Sequence, residues 1–103
     1  MKTLTQAITL LLASSAALAA HPRTVATDWI ACPDKQHLEE STMMIANGNT
    51  NGGVLHAALN SCVMIETGET VLVQDQELIS GLASFRRKGQ YRLYWTHRKA
   101  LSR

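Results

Sequence analysis

Cysteine, histidine and aromatic residues are sparse in this sequence. Its 103 residues include two Cys, four His, two Trp, two Tyr and one Phe. The two cysteines, Cys32 and Cys62, are too far apart to form a redox-active Cys-x-x-Cys motif. The histidines are scattered singly and lack the spacing of zinc ligands. The sequence therefore predicts no redox centre, no metal site and no bound cofactor.

Catalytic motifs are also missing. The sequence has no Ser-His-Asp ordering, no phosphate-binding glycine loop and no His-x-x-x-His pair. The adjacent acids Glu39 and Glu40 would point in different directions on a helix, so they do not form a general acid and base pair. A small domain also has little core from which to build the walls of a pocket. We therefore expect a protein that is not an enzyme.

The sequence has no long hydrophobic run, although residues 1–20 are strongly apolar. They contain one charge, Lys2, no acid, and a final stretch of small residues. A positive start, a short apolar run and small residues at the end are typical of a secretory signal peptide. We expect cleavage after Ala19 or Ala20.

Export predicts both the compartment and the state of the cysteines. The apolar run at residues 7–13 is too short for a membrane span, and no second run follows it. We therefore expect a periplasmic or secreted protein that is not an integral membrane protein after cleavage. Residues 21–103 would form one small domain. Because such compartments are oxidising, a disulfide is the simplest state of Cys32 and Cys62.

Local patterns predict an α+β fold. Residues 24–31 are rich in β-branched and aromatic side chains, which favours a first strand. Pro33 and Asp34 suit the first turn of a helix, and Asn47-Gly48 is a typical stop signal. Two helices would thus be inserted between the first and second strands, and the disulfide would join the ends of this insertion. The predicted elements are a strand at 24–31, helices at 34–46 and 53–60, strands at 62–66 and 70–74 around Gly68, strands at 81–87 and 90–96 around Gly89, and a helical turn at 98–101.

Side-chain alternation in these elements predicts which residues are buried. The apolar residues of the second helix fall on one face, which we expect to pack against a neighbour. These residues are Val54, Leu55, Ala58 and Leu59. In the last hairpin, one group of side chains should face the core and another group the opposite side. The first group is Ala83, Phe85, Tyr91, Leu93 and Trp95, and the second is Arg86, Arg92 and Tyr94.

Three short motifs carry a resemblance to a known class of domain. Residues 65–73, 85–89 and 94–96 contain a glycine turn with a valine-rich strand, an arginine-containing strand with a second glycine turn, and a Tyr-Trp pair. They resemble the corresponding run of small secreted bacterial Src-homology-3-like domains. The chain also resembles uncharacterised small secreted bacterial proteins with an early Cys, a helical pair and a second Cys before the glycine turn. The resemblance implies a small Src-homology-3-like antiparallel β-barrel with a two-helix insertion and one disulfide, and it implies no catalytic residue.

Acidic residues are missing from the C-terminal part of the sequence. All eight Asp and Glu residues lie between Asp28 and Glu77, whereas seven of the ten Lys and Arg residues follow Ser84. Aromatic residues alternate with these bases, which is typical of surfaces that bind polyanions. The candidate ligand surface consists of Arg86, Arg87, Arg92, Tyr94, Trp95, Arg98 and Lys99.

Two interpretations of this basic segment remain open. An exported protein is not expected to meet nucleic acid, so an anionic envelope polymer, lipid head groups or an acidic protein are the compatible partners. Alternatively, the bases only face solvent and are partly neutralised by the acidic half of the domain. Trp95 likewise belongs either to the core or to an exposed ligand groove.

Three functions are compatible with these features. The leading hypothesis is an exported, envelope-associated, non-catalytic binding module that contacts an anionic or peptide ligand through its basic aromatic strand surface. One alternative is a small periplasmic inhibitor or exclusion factor that acts on a lytic enzyme or an invading partner. The other is a structural subunit of an envelope assembly.

Overall fold

The computed structural model describes residues 20–102, so the predicted signal peptide lies outside the described residues except for Ala20. The described chain combines antiparallel strands with two helices, which confirms the α+β class. No helix in this part of the chain is long and apolar enough to cross a membrane. In chain order, the elements are β1 (His21–Thr24), β2 (Trp29–Ala31), α1 (Lys35–Ala46), α2 (Thr50–Leu59), β3 (Val63–Ile65), β4 (Thr70–Gln76), β5 (Leu82–Arg87), β6 (Leu93–His97) and a 3₁₀-helix (Arg98–Ala100).

The strands form two antiparallel sheets. One sheet has the order β1-β4-β5-β6, and the other pairs β2 with β3. Cys32, directly after β2, exchanges two backbone hydrogen bonds with Trp95 of β6, at 2.9 and 2.7 Å. A second bridge joins Val25 to Leu101. The bridge between Cys32 and Trp95 connects the two sheets, but neither sheet is closed on itself within residues 20–102.

The prediction of a hairpin around Gly68 was wrong. β3 pairs with β2, whereas β4 pairs with β1 and β5. The predicted first strand at 24–31 is divided into β1 and β2, and each half pairs with a different strand. Gly68 has a positive φ of 93°, and its amide donates to the Val25 carbonyl at 2.8 Å. The turn at Gly68 therefore contacts the segment between β1 and β2. Because the predicted first strand is divided, the two helices lie between β2 and β3.

The hairpin of β5 and β6 is confirmed, but the predicted faces of β6 were wrong by one residue. Phe85 is opposite Tyr94, and directly opposed residues share a face of the sheet. The two rings stack with centroids 6.0 Å apart, and Tyr94 is only 6% exposed. Leu93 and Tyr91, both predicted to be buried, are exposed. Alternation alone did not determine this register, because both faces of β6 carry aromatic side chains.

Both helices begin at a side-chain cap. Asp34 Oδ1 accepts a hydrogen bond from the Gln36 amide at 2.7 Å, and Asn49 Oδ1 accepts one from the Gly52 amide at 3.0 Å. α1 forms close to its predicted bounds. α2 begins at Thr50, three residues earlier than predicted, because Asn49 caps it within a segment whose composition indicates a loop.

The prediction that the apolar face of α2 packs against a neighbour was wrong. α2 instead turns its small residues Gly53 and Ala57 inward against α1. A Cβ atom on Gly53 would lie 2.7 Å from the backbone oxygen of Ser41, so only glycine permits this approach of the helices. The larger apolar residues that face solvent are Val54, Leu55 and Leu59, and Ala58 is exposed beside them.

Two hydrophobic clusters cover opposite faces of β5 and β6. Ala83 and Tyr94 belong to the first cluster, which also contains residues of β2, β3 and β4. Leu82 and Trp95 belong to the second, which contains residues of the helices and the disulfide. Because adjacent residues of a strand point to opposite faces, β5 and β6 contribute side chains to both clusters.

The predicted disulfide between Cys32 and Cys62 is confirmed. It joins the end of β2 to the start of β3, so it connects the two ends of the helical insertion. The Cα atoms of the pair are 4.1 Å apart, and Cys32 is completely buried. The same residue holds β6 through its backbone, so the disulfide links the helices to the sheet.

Candidate functional site

A basic cleft opens between β1, the β4–β5 connection and the segment that follows β6. Its volume is about 650 Å³, which is within the range of small-molecule sites. Three cationic side chains, Arg23, Arg98 and Lys99, line it together with Ser80 and Ser102. We use the name basic cleft for the site formed by these five residues.

The sheet and the C-terminal segment bring these residues together. Arg23 lies in β1, opposite Val71 of β4. The C-terminal segment returns to the same strand, because the Ser102 amide donates to the Thr24 carbonyl at 2.8 Å. The Arg98 amide donates to the Gly81 carbonyl at 2.8 Å, which holds the 3₁₀-helix against the β4–β5 connection. Residues from the two ends of the domain thus line one cleft.

The cations of the basic cleft are not neutralised by its own lining, which contains no carboxylate. Among residues 20–102, the ion pairs of Lys and Arg side chains are Lys35 with Glu77 and Arg87 with Glu69, so none of the three cations takes part in one. Their charges therefore face the cleft together and favour an anionic ligand.

Glu77 lies beside the basic cleft, and both of its carboxylate oxygens accept hydrogen bonds. Ser80 donates a hydrogen bond to its Oε1 at 2.7 Å, and Lys35 donates one to its Oε2 at 2.9 Å. The hydrogen bond from Lys35 lowers the pKa of Glu77, and the bond from Ser80 lowers it further. Because Lys35 balances this carboxylate, the cleft keeps an excess of positive charge.

His97 separates the basic cleft from a second, apolar cavity of about 320 Å³. Its Nδ1 accepts a hydrogen bond from Trp29 Nε1 at 2.8 Å, so the proton of the neutral ring is on Nε2. Burial lowers the pKa of His97, and the positive charge of Lys99 lowers it further, while Glu39 acts in the opposite direction. The lowered pKa favours the neutral form of this ring, which borders both cavities.

Acidification is expected to destabilise the fold through His97. Its folded-state pKa is below the ordinary value of 6.5, so the unfolded chain binds this proton more readily. The contribution of His97 to stability is complete above about 6.5 and is lost as the pH falls from there to the lowered pKa. Urea unfolding of the wild type and of H97Q across this range measures the effect, since glutamine accepts from Trp29 but does not titrate. Equal pH dependence in both proteins would contradict the assignment.

The structure separates the residues of the sequence-predicted ligand surface. Arg98 and Lys99 line the basic cleft. Tyr94 is in the core, and half-buried Trp95 lies under Lys35, whose Nζ is 4.7 Å from the ring centroid. The prediction that Tyr94 faces away from the core was therefore wrong. Trp95 contributes to the second hydrophobic cluster and is only half covered.

The remaining arginines lie away from the basic cleft. Arg87 makes two hydrogen bonds to the carboxylate of Glu69, at 2.8 and 3.1 Å, and a third to the Met64 carbonyl. The bond from Arg87 lowers the pKa of Glu69. Arg86 lies beside the amide of Gln74, and Arg92 is exposed before β6. These side chains do not join Arg98 and Lys99 in one site.

Arg23 is a site residue that no sequence pattern indicated. It precedes the acid-containing segment 28–77 and lies far from Arg98 and Lys99 in sequence. Its place in the basic cleft depends on the pairing of β1 with β4 and on the return of the C-terminal segment to Thr24. No local pattern indicated either contact.

Within residues 20–102, no three His, Cys, Asp or Glu side chains are grouped so as to hold a metal ion. Comparison of the chain with protein-family models, with curated proteins and with solved structures yields no match.

Proposed function

We propose that the protein is an exported, envelope-associated binding module, not an enzyme, and that its basic cleft holds an anionic ligand. The observation that carries this proposal is the convergence of Arg23, Arg98 and Lys99 on one cleft whose lining contains no carboxylate. The hydroxyl group of Ser102, which accepts a hydrogen bond from the Thr24 amide, supplies a further hydrogen-bond donor to such a ligand. An oxidised disulfide is consistent with an exported location.

The finer fold assignment is part of this proposal. We infer that the six described strands are an open variant of a Src-homology-3-like barrel. The bridge between Cys32 and Trp95 joins the two sheets, β4 is irregular between Val73 and Asp75, and a 3₁₀-helix follows β6.

Removal of the cleft charges is expected to abolish most of the binding. The variant R23S/R98S/K99S should bind soluble polyphosphate and isolated cell wall about a hundredfold more weakly, because each cation near an anionic surface contributes roughly 1 kcal/mol to binding. Binding by the wild type should weaken steeply as salt is added, because salt screens exposed charges. Equilibrium binding over a salt series measures both effects.

The matched control removes the same number of charges outside the basic cleft. The variant R86S/K88S/R92S has the same net charge as the cleft variant, but it should retain most of the wild-type affinity. Equal loss in both variants would show binding through overall charge and would contradict the cleft. Loss in the control variant alone would instead favour the strand surface predicted from sequence.

A protein partner is the second candidate, and the exposed apolar face of α2 is the observation that favours it. Leu55 and Leu59 are exposed there to 60% and 76%. Such a surface suits a structural subunit or an inhibitor. Photocrosslinking in the envelope should then give one stoichiometric adduct from position 55 and none from position 51 on the same helix. Protection of cell wall from a lytic enzyme without wall binding would identify the inhibitor.

A further inference from the structure

The connection between β4 and β5 contains two adjacent apolar side chains that are exposed to solvent. Leu78 is exposed to 82% and Ile79 to 104%. In the described chain, every other large apolar residue except Tyr91 is less exposed than either of them. Single exposed apolar residues are common, but two adjacent ones at the tip of a connection form a small projecting surface. We call Leu78 and Ile79 the apolar tip.

The fold holds the apolar tip in this position. The Gly81 amide donates to the Glu77 carbonyl at 3.0 Å, and the Glu77 amide donates to the Leu82 carbonyl at 2.8 Å. Gly81 has a positive φ of 72°, which glycine adopts without strain. The ion pair of Glu77 with Lys35 ties the base of the connection to the start of α1. These contacts hold the backbone on both sides of Leu78 and Ile79.

The apolar tip adjoins the basic cleft directly. Ser80 and Gly81, the next two residues, line the cleft, and the Gly81 carbonyl accepts the Arg98 amide. The acids near the tip are Asp75, close to the end of β4, and Glu77, which Lys35 balances. Three cleft cations therefore outnumber the remaining acid next to the tip.

We propose that the anionic ligand of the basic cleft is the head-group layer of an anionic lipid bilayer, into which Leu78 and Ile79 insert. This inference rests on the proposed function, because it names the ligand of the same cleft. Phosphate groups of lipids would contact Arg23, Arg98 and Lys99, while the apolar tip would enter the boundary between head groups and acyl chains. A soluble polyanion offers nothing apolar for this tip to contact, so the combination favours a membrane surface.

Vesicle binding by the purified, oxidised protein tests the proposal. We expect binding to vesicles of phosphatidylcholine mixed with phosphatidylglycerol and little binding to phosphatidylcholine alone. The variant L78S/I79S should bind the anionic vesicles at least about tenfold more weakly, since it loses two apolar side chains. The same variant should bind soluble polyphosphate as the wild type does, because the apolar tip is outside the basic cleft.

A matched control removes equivalent apolar surface elsewhere. The variant L55S/L59S, on the exposed face of α2, should bind the anionic vesicles as well as the wild type. Insertion also has a spectroscopic readout: the emission of I79W should be quenched by lipids with brominated acyl chains more than the wild-type emission is.

The outcomes separate this inference from the proposed function. Unchanged vesicle binding by L78S/I79S would overturn insertion of the tip. Wild-type binding to polyphosphate but not to anionic vesicles would overturn the lipid ligand and leave the basic cleft as an anion site. Equal losses in L78S/I79S and L55S/L59S would indicate a nonspecific apolar effect and overturn the proposal. Absence of binding to every anionic probe would instead contradict the proposed function.

Discussion

Replacement of both cysteines by alanine is expected to lower the free energy of unfolding by about 3 to 4 kcal/mol. The Cys32–Cys62 bridge closes a loop with a sequence separation of 30, and opening it restores the conformational entropy of that loop to the unfolded chain. A loss of this size is a large fraction of the stability of a small domain. Urea unfolding of the oxidised wild type and of C32A/C62A measures the difference.

Loss of the disulfide should also disturb the contacts of β6 and Trp95. Cys32 also holds β6 through its backbone bonds with Trp95, and both residues belong to the cluster that contains the helices. Loosening of the helical insertion should therefore expose Trp95 and shift its emission to the red. A reductant should lower the stability of the wild type toward that of C32A/C62A and leave the variant unchanged. A variant as stable as the oxidised wild type would show that the bridge does not hold the fold.

The second large effect is expected from G53V, which should destabilise the fold by about 2 to 3 kcal/mol. A Cβ atom at this position would lie 2.7 Å from the Ser41 carbonyl oxygen and 2.6 Å from Ile45 Cγ1. A backbone oxygen within a helix cannot move aside as the end of a flexible side chain can. α2 would therefore have to shift away from α1, which would weaken the contact of Ala57 with the second cluster.

The matched control introduces the same side chain on the exposed side of the same helix. Asn51 is exposed in α2, so N51V should change the free energy of unfolding by no more than about 0.5 kcal/mol. Chemical denaturation of the two variants in parallel separates crowding at the helix contact from the helix propensity of valine. Equal stability of G53V and N51V would mean that the helices do not approach each other closely at Gly53.

The elements that the sequence predicted well depend on local signals. Asp34 caps α1, and Asn47 and Gly48 end it, so this helix forms close to the expected bounds. The pairing of Cys32 with Cys62 followed from a count of two cysteines and an expected oxidising compartment. These inferences need only neighbouring residues or composition, so no knowledge of long-range packing was required.

The errors occurred where long-range pairing decides the outcome. The turn at Gly68 is compatible with a hairpin, but β3 pairs with β2, because the segment at 24–31 divides and the turn binds Val25. The register of Phe85 with Tyr94 placed one aromatic ring of β6 in each cluster. Pairing energies of strands distant in sequence cannot be derived from alternation alone.

The candidate site also combines residues that the sequence predicted with a residue that only long-range pairing brings there. The segregation of acids and bases along the chain, which is a property of the sequence alone, predicted Arg98 and Lys99 as ligand contacts. Arg23 entered the basic cleft only through the pairing of β1 with β4, and Arg87 is instead bound to Glu69. By itself, the sequence determined the class of fold, the disulfide and the excess of positive charge at the C-terminal end. Tertiary structure decided which of those charges meet in a cleft and which are neutralised, because that depends on contacts between residues far apart in the chain.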